Sequence, residues 1–548
     1  MANIKISRKS FEKDIGNLDE KMQNRIALFG TTLESFDDEE IELEIFPNRP
    51  DLLSYQGFKR GFLGFLGKDK GLRNYKINPP EKNYEVSVDK SVSEVWPYCV
   101  CAIVKGLRLD DAKIKEVIDI QEKITMTVGR KRKKLGLGVY PLDKIALPVS
   151  YVALEPDKIK FKPLEASREM TGLEILSRHP TGREYAHLLA GKSKFPIFVD
   201  SNKEVLSMPP IINSHETGKI TEKTKDIFIE CTGTDYKILK KSLNILVCAL
   251  IDMGGKAYQM KLVGAIKDVT PDFTPEKNKV SVENVNKVLG LNLNEKQVKG
   301  CLERMGHNYS KGVAESGSWR TDLLHEVDLI EDVAIAYGYD NFEPEIPKIS
   351  TIGEENYIET IKRKLSDILV GLGFLEISNY HLTKEKDQFL KMGIAERDVK
   401  GAIEVMDSKT EYNLVRNDLS HYAMKILSEN VDVEYPQKIF EMGRIFNLNN
   451  DLIEESESLS IAASPSNFTE LKQILEYLSR MVGVKLEVKE ANKVPLHFID
   501  GRCAEVLLDG VVIGYFGEIH PKILKNFRIR MPVALLEISL EGIFEKLK

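Results

Sequence analysis

Between Val86 and Lys267 the chain alternates strand-like runs, "CAIVKGLRL", "PVSYVAL", "FPIFVD" and "DIFIECTGTD", with the helical runs "AKIKEVIDIQEKI" and "YKILKKSLNILVCALIDMGG". Apolar patterns that change between period 2 and period 3.6 along one segment require layers, because each sheet face and each helix stripe must be buried against another element. The last helical run stops at Gly254-Gly255, where glycine supplies the left-handed end of a helix. Residues 86–267 are therefore predicted to form a mixed α/β domain.

The rest of the chain divides around it. At 548 residues it exceeds one core. Domains of ~100–200 residues each make it several. Residues 1–80 read as a small N-terminal α/β domain, in which Asp51 is expected to cap a helix starting at Leu52. Pro79-Pro80 closes it, because neither proline continues a helix. Over 272–345, Ser281 precedes "VENVNKVLG", and Asn294 with Gln297 forms a capping-box pattern ahead of Val298, Cys301, Leu302 and Met305. Two short helices and a β-like return resemble a winged-helix unit. Residues 350–548 carry helices at 357–372 and 468–482 and a hairpin signal at Asp509-Gly510, which predicts an antiparallel sheet with helices. The fold class expected is multidomain α+β.

Composition excludes several classes. The net charge is −6, with 42% of residues hydrophobic and 30% charged, the balance of a globular protein. No apolar run approaches the length of roughly 20 residues that a membrane span needs. The start, "MANIKISRKSFEK", shows no secretory h-region, which predicts a cytoplasmic protein. Six cysteines contain no CxxC pair and read as buried thiols. A nucleic-acid partner would rely on local patches such as "GRKRKK" at 129–134 or "KRGFLGFLGKDKGLR" at 59–73, each of which is as well read as a solvated surface segment.

An acidic stretch, "WRTDLLHEVDLIEDVAIAYGYD", spans 319–340. On a helix Asp328, Glu331 and Asp332 share a sector of roughly 100°, with Val327, Ile330, Val333, Ala334 and Tyr337 opposite. Like charges at this spacing repel by a few tenths of a kcal/mol per pair. Such a face is either solvated or holds a hard cation that prefers oxygen ligands. Asp322 joins the three only from a turning segment ahead of the helix, and otherwise serves as its N-cap.

Four strings, "WRTDLLHEVDLIEDVAIAYGYDNFEPEIP", "EIFPNRPDLLSYQG", "PQKIFEMGRIFN" and "FIDGRCAEVLLDGVVIGYFGEIHPKIL", together resemble the phenylalanyl-tRNA synthetase beta-subunit family in its archaeal or eukaryal form, in order over the whole chain. The inserted oligonucleotide-fold and terminal anticodon-binding domains of the bacterial form find no place here. The resemblance implies Mg²⁺ at Asp322, Asp328, Glu331 and Asp332, although "SGSW" stands where the family has a proline-containing segment.

It further implies that 350–548 is a degenerate class II synthetase-like core. Arg416 in "YNLVRNDL" and Arg444 in "FEMGRIF" resemble its motif 2, but no GxGxGxxR-like segment follows, and both arginines read better as salt-bridged core-edge residues. The expected partners are an alpha subunit in an α2β2 tetramer, which activates phenylalanine with ATP, and tRNA(Phe). No membrane is expected. Residues 86–267 are implied to be the editing domain that hydrolyses mischarged Tyr-tRNA(Phe). Its candidate residues are Asn213, Ser214, His215, Glu230 and Thr232, each with turn-capping or strand-edge roles as the alternative; His179 and His187 are further candidates for contact with the tRNA end, but read better as satisfied surface or core histidines. No Cys-His or Ser-His-Asp order is present, which favours a positioned water over a covalent nucleophile. The competing reading is a free-standing tRNA-binding or deacylating module, which needs only residues near 86–267.

Overall fold

A computed structural model describes residues 2–395, 399 and 401–548. It divides into two compact units, Met1–Ile346 and Pro347–Lys548.

In the first unit, the N-terminal sheet orders strands Ala2–Ser7, Glu40–Ile45 and Thr32–Phe36 with Glu40–Ile45 central. The helix Tyr55–Phe65 packs on it through Phe58, Phe62 and Phe65, spaced i, i+4, i+7 and fully buried with Phe11 and Phe29. Burial of each ring contributes roughly 1.5–3 kcal/mol. Asp51 does not cap this helix: Pro50–Leu52 is a single 3₁₀ turn, and the helix begins at Tyr55 under the Ser54 hydroxyl. The carboxylate of Asp51 is instead gripped by Arg49 at 2.9 Å through both oxygens. The first cations of the basic run 59–73 are likewise spent internally, while Lys68, Lys70 and Arg73 are exposed. Lys59 pairs with Asp14, and Arg60 is buried on Asp252 and Tyr75.

The predicted mixed α/β domain forms around a sheet whose strands follow the order Ile212–Asn213, Val205–Met208, Phe195–Val199, Val149–Leu154, Glu85–Val88, Lys256–Gly264, Tyr98–Lys105, Ile227–Gly233, Leu135–Pro141. Glu85–Val88 runs parallel to both its neighbours, and the other pairs on this path are antiparallel. The helix Tyr236–Asp252, ended as expected before Gly254, buries Leu239, Leu243, Leu246 and Leu250 beneath it. The segments "HPTGREYAHLL" and "SMPPIINSHETGKI" contribute to the short helices Pro180–Tyr185 and Ala186–Leu188 and to the last two strands at one end of the order, Val205–Met208 and the edge strand Ile212–Asn213.

Residues 276–337 form a three-stranded sheet with helices Val282–Leu289, Glu295–Arg304 and Glu326–Tyr337 around Val285, Val298, Leu302, Leu329 and Val333. Asn294 and Gln297 make the reciprocal capping box. The first three segments do not stand apart, because one core runs from Ile4 through the large sheet to Met305, Trp319 and Ala336.

The second unit is a seven-stranded sheet, ordered Leu375–Glu376, Gln437–Asn449, Leu452–Ser464, Ala534–Ser539, Val511–Ile519, Phe498–Leu508, Leu486–Glu490, antiparallel except for its first pair. Helices Tyr357–Gly371 and Phe468–Val482 cover one face through Leu365, Leu369, Leu471 and Leu475. Asp509 and Gly510 have φ of 50° and 82°. They make the expected two-residue hairpin turn, whose two central positions both need positive φ. All six cysteines are free, five of them buried. Among the described residues no helix is long and apolar enough to cross a membrane.

Candidate functional site

The two ends of the large sheet's strand order meet. Tyr140, on the last strand, lies 3.0 Å from Asn213 on the first, and Ser207, on the second, donates at 2.9 Å to Glu230 on the last but one. The sheet is thus curled, and Glu230 sits inside the curl.

Glu230 reaches that position through strand alternation. Within the fully buried strand Ile227–Gly233, Phe228, Glu230 and Thr232 share one face, opposite Tyr140, Gly138 and Gly136 of the edge strand. A side chain at Gly138 would collide with the Tyr140 hydroxyl at 2.3 Å and Glu230 at 2.8 Å, so glycine there lets the phenol lie across the strand. Oε1 of Glu230 accepts from Tyr140 at 2.6 Å and Ser207 at 2.9 Å, while Oε2 is buried with no partner. Burial pushes the carboxyl up to about 7, against the opposing pull of the Tyr140 and Ser207 hydrogen bonds. The Tyr140 hydroxyl lies within reach of two acceptors, Oε1 of Glu230 at 2.6 Å and Oδ1 of Asn213 at 3.0 Å.

Thr232 lies one strand repeat further along, where the indole N–H of Trp96 donates to its hydroxyl oxygen at 3.2 Å. The Thr232 proton is left to be donated elsewhere. Asn213 belongs to the site through Tyr140, but Ser214 and His215 enter it only as backbone: Ser214 N–H bonds Leu206 O and His215 N–H bonds Lys162 O, both at 2.8 Å. Of the two further histidines, His179 is buried on Leu164 O and His187 sits beside Glu184 O. Sequence reasoning missed Tyr140, Ser207 and Trp96. Their partners lie 90, 23 and 136 residues away, so no local pattern connects them.

The acidic motif is arranged differently from the helical-wheel expectation. The helix starts at Glu326 with His325 as N-cap, and Asp328 completes a capping box, accepting at 2.7 Å from the backbone N–H groups of Leu324 and His325. Asp322 is not the cap, since Arg320 takes both its oxygens at 2.8 and 2.7 Å. Asp332 does not lie on a wet face. It is 3% exposed, held at 2.8 Å by Arg320 and at 2.7 Å by His307 Nε2, whose other nitrogen meets Ser316. Burial opposes its ionisation, yet Arg320 and His307 hold it well below the usual carboxylate range. Val327, expected on the apolar side, is exposed in the first turn. Glu331 makes no hydrogen bond among the described residues; burial, then the negative charge of Asp332, Asp322 and Asp328, raises its carboxyl. The four carboxylates share a neighbourhood, but no three His, Cys, Asp or Glu among the described residues are set to hold a metal directly.

In the second unit one sheet face carries a polar row, Glu441, Ser460, Glu537, Tyr515 and Glu505 in register. Arg416 is buried on Glu441 at 2.7 Å and on the carbonyls of Arg444 and Asn379. Glu537 accepts from the Leu419 and Ser420 amides at 2.9 and 2.8 Å and from the Ser420 hydroxyl. Arg444 is exposed and pairs with Glu455 and Glu457.

Comparison with known proteins identifies this architecture. Family models match three segments: "B3/4 domain" at 107–246, "tRNA synthetase B5 domain" at 278–339 and "Phenylalanyl tRNA synthetase beta chain CLM domain" at 343–540. These define a subunit of an aminoacyl-tRNA synthetase. The phenylalanine–tRNA ligase beta subunit of Archaeoglobus fulgidus is 37% identical over 547 residues, 97% of each chain. That of Methanococcus aeolicus is 34% identical over 99% of this chain and all of its own. The crystal structure of an N-terminal fragment of the Pyrococcus horikoshii beta subunit matches with a TM-score of 0.58 at 37% identity, over 61% of this chain and 99% of the fragment. The chain belongs to the phenylalanine–tRNA ligase beta-subunit family.

Proposed function

We propose that this chain is the editing, non-activating subunit of a cytoplasmic phenylalanine–tRNA ligase, and that the Glu230 site hydrolyses tyrosine misattached to tRNA(Phe). The observation that carries the reading is the unpartnered, buried Oε2 of Glu230. Tyrosine differs from phenylalanine by one hydroxyl, which an apolar pocket rejects only modestly, so a site must bind that hydroxyl with a polar group to act on tyrosine alone. Oε1 is already saturated by Tyr140 and Ser207. Oε2 is the oxygen left to accept the substrate's phenolic proton, and the Thr232 hydroxyl can donate to the ester carbonyl or to an attacking water. Asn213 borders the site through Tyr140, with Ser214 and His215 following it in the chain.

Amino-acid activation belongs, on this reading, to an alpha partner in an α2β2 assembly. ATP needs free cations on its phosphates, whereas Arg416 and Arg444 are both consumed by carboxylates of their own unit. The match of the beta chain CLM domain and of near full-length relatives favours this subunit over a free-standing deacylating module. The all-oxygen donor set of the acidic motif suits Mg²⁺, which takes one or two carboxylates directly and keeps several waters. Of the four carboxylates, Asp328 and Glu331 would hold it, since Asp322 and Asp332 are paired with Arg320. Such an ion would hold the segment 319–332 in place, far in sequence from Glu230.

Two assays test the reading. The chain alone should give no phenylalanine-dependent ATP–pyrophosphate exchange, and the assembled enzyme should release tyrosine from mischarged tRNA(Phe). Exchange by the isolated chain would contradict the first half, and stable Tyr-tRNA(Phe) the second.

A further inference from the structure

The turn Gly129–Lys134 places three consecutive non-glycine residues, Arg130, Lys131 and Arg132, in the left-handed region, with φ of 49°, 55° and 63°. L-residues visit that region as single positions, chiefly glycine, asparagine or aspartate. The turn closes the helix Asp111–Met126, since the amides of Lys131 and Arg132 bond Met126 O and Thr125 O at 3.1 Å. One left-handed residue suffices for a helix end. Helix capping therefore does not account for three, nor for their all being cations.

Their side chains divide into two groups. Arg130, Lys131 and Lys133 are exposed and Lys134 half-buried, and none of the four makes an ion pair or side-chain hydrogen bond among the described residues. In a chain of net charge −6 this is a local excess of free positive charge. Arg132 points the other way. It donates to Pro210 O at 3.2 Å and Ile211 O at 2.7 Å and stacks 4.4 Å over the Tyr185 ring. Those carbonyls lie between Ser207 and Asn213. On the other side Lys134 O accepts from Thr234 N–H at 3.1 Å, and the chain runs on to Gly136 and Gly138 beside Glu230. The basic turn is thus fastened to both walls of the Glu230 site.

We infer that this turn is the phosphate-gripping rim of that site: Arg130, Lys131, Lys133 and Lys134 hold the backbone of the single-stranded 3′ end whose aminoacyl ester enters it, and Arg132 is the positioning residue that ties rim to wall. The inference rests on the deacylation reading above. A strained turn at a functional site is held by its surroundings, here by the Arg132 bonds and the helix end. Phosphate contacts by lysine and arginine act through counterion release and fade with salt.

The test uses the assembled enzyme, mischarged Tyr-tRNA(Phe), and the exposed double variant Lys131→Glu/Lys133→Glu, with Lys131→Gln/Lys133→Gln as a milder pair. Deacylation kcat/KM should fall about tenfold, through KM, with a salt slope shallower by about 0.7 per lost phosphate contact. Phenylalanylation by the same preparation should be unchanged. Arg132→Lys should instead lower kcat with little change in KM. An active wild type with unchanged variants contradicts the rim alone, and equal losses in deacylation and phenylalanylation would make the turn a general docking patch, which also overturns it. A wild type inert on Tyr-tRNA(Phe) contradicts the deacylation reading, and the rim with it.

Discussion

The hydroxyl of Tyr140 lies 2.6 Å from Oε1 of Glu230, across a strand position that only glycine can occupy. Tyr140→Phe keeps the ring and removes one of the two donors that oppose the burial-driven rise of the Glu230 carboxyl. A hydrogen bond to a charged group contributes about 1.5–3 kcal/mol. Deacylation of Tyr-tRNA(Phe) should therefore drop at least about tenfold at neutral pH, and its acidic limb should move to higher pH. An unchanged rate and pH profile would reduce Tyr140 to packing. Gly138→Ala should reproduce the loss, because its methyl would occupy the place of the phenol.

Titration of Glu230 sets a second expectation. With a carboxyl at about 7, the ionised form that accepts the substrate hydroxyl accumulates as pH rises through neutrality. The ratio of wild-type to Glu230→Gln deacylation should climb between pH 6 and 8, a ratio that cancels intrinsic ester lability. A flat ratio would exclude ionised Glu230 as the acceptor.

Glu537 gives a stability counterpart in the second unit. Burial, then the charge of Asp418, pushes it up to about 7 from an ordinary 4.5. The folded state therefore holds a proton that the unfolded chain gives up. The associated stability is full below about 4.5 and lost as pH rises through about 7. Between pH 6 and 8 the loss is about 1 kcal/mol, or about 2–4 °C in Tm for a unit of this size. Thermal melts should show Glu537→Gln losing less over that range than wild type; equal losses would place the titration elsewhere.

Arg416 and Glu441 are predicted to be structural. Truncating one partner of a buried pair leaves an uncompensated charge, at a cost of about 3–5 kcal/mol. Arg416→Leu should destabilise the second unit by that amount, and adding Glu441→Leu should recover part of it in denaturant unfolding. A stable Arg416→Leu that abolished ATP use would contradict this.

The acidic motif makes a metal prediction. Calorimetric titration should show Mg²⁺ binding at millimolar concentration that Asp328→Ala/Glu331→Ala removes, with phenylalanine activation by the assembled enzyme intact. No binding by wild type would leave the motif balanced by protein cations such as Arg320 and Arg49.

Local rules made much of this fold legible. The helix Phe468–Val482, the Asn294–Gln297 capping box and the Asp509-Gly510 turn each depend on neighbours within a few residues. Glu230 and Thr232 entered as candidates only through the family resemblance, and the strand pairing places them on one face. The rest was set by long-range packing. Tyr140 and Ser207 reach Glu230 only because the sheet curls until its edges meet, and Asp332 leaves the wet face only because Arg320, from the segment before the helix, turns back to meet it. Asp51 illustrates the same override: a good capping residue whose carboxylate was claimed by Arg49.

The central claim is that Glu230 reads the extra hydroxyl of tyrosine. The most direct measurement compares Glu230→Gln and Glu230→Ala with wild type in the assembled ligase, following deacylation of Tyr-tRNA(Phe) and phenylalanylation of tRNA(Phe) in the same preparations. The account predicts that both substitutions cut deacylation at least about a hundredfold, the loss of a buried acceptor's discrimination, and leave phenylalanylation unchanged. Deacylation at the wild-type rate in Glu230→Ala would contradict it.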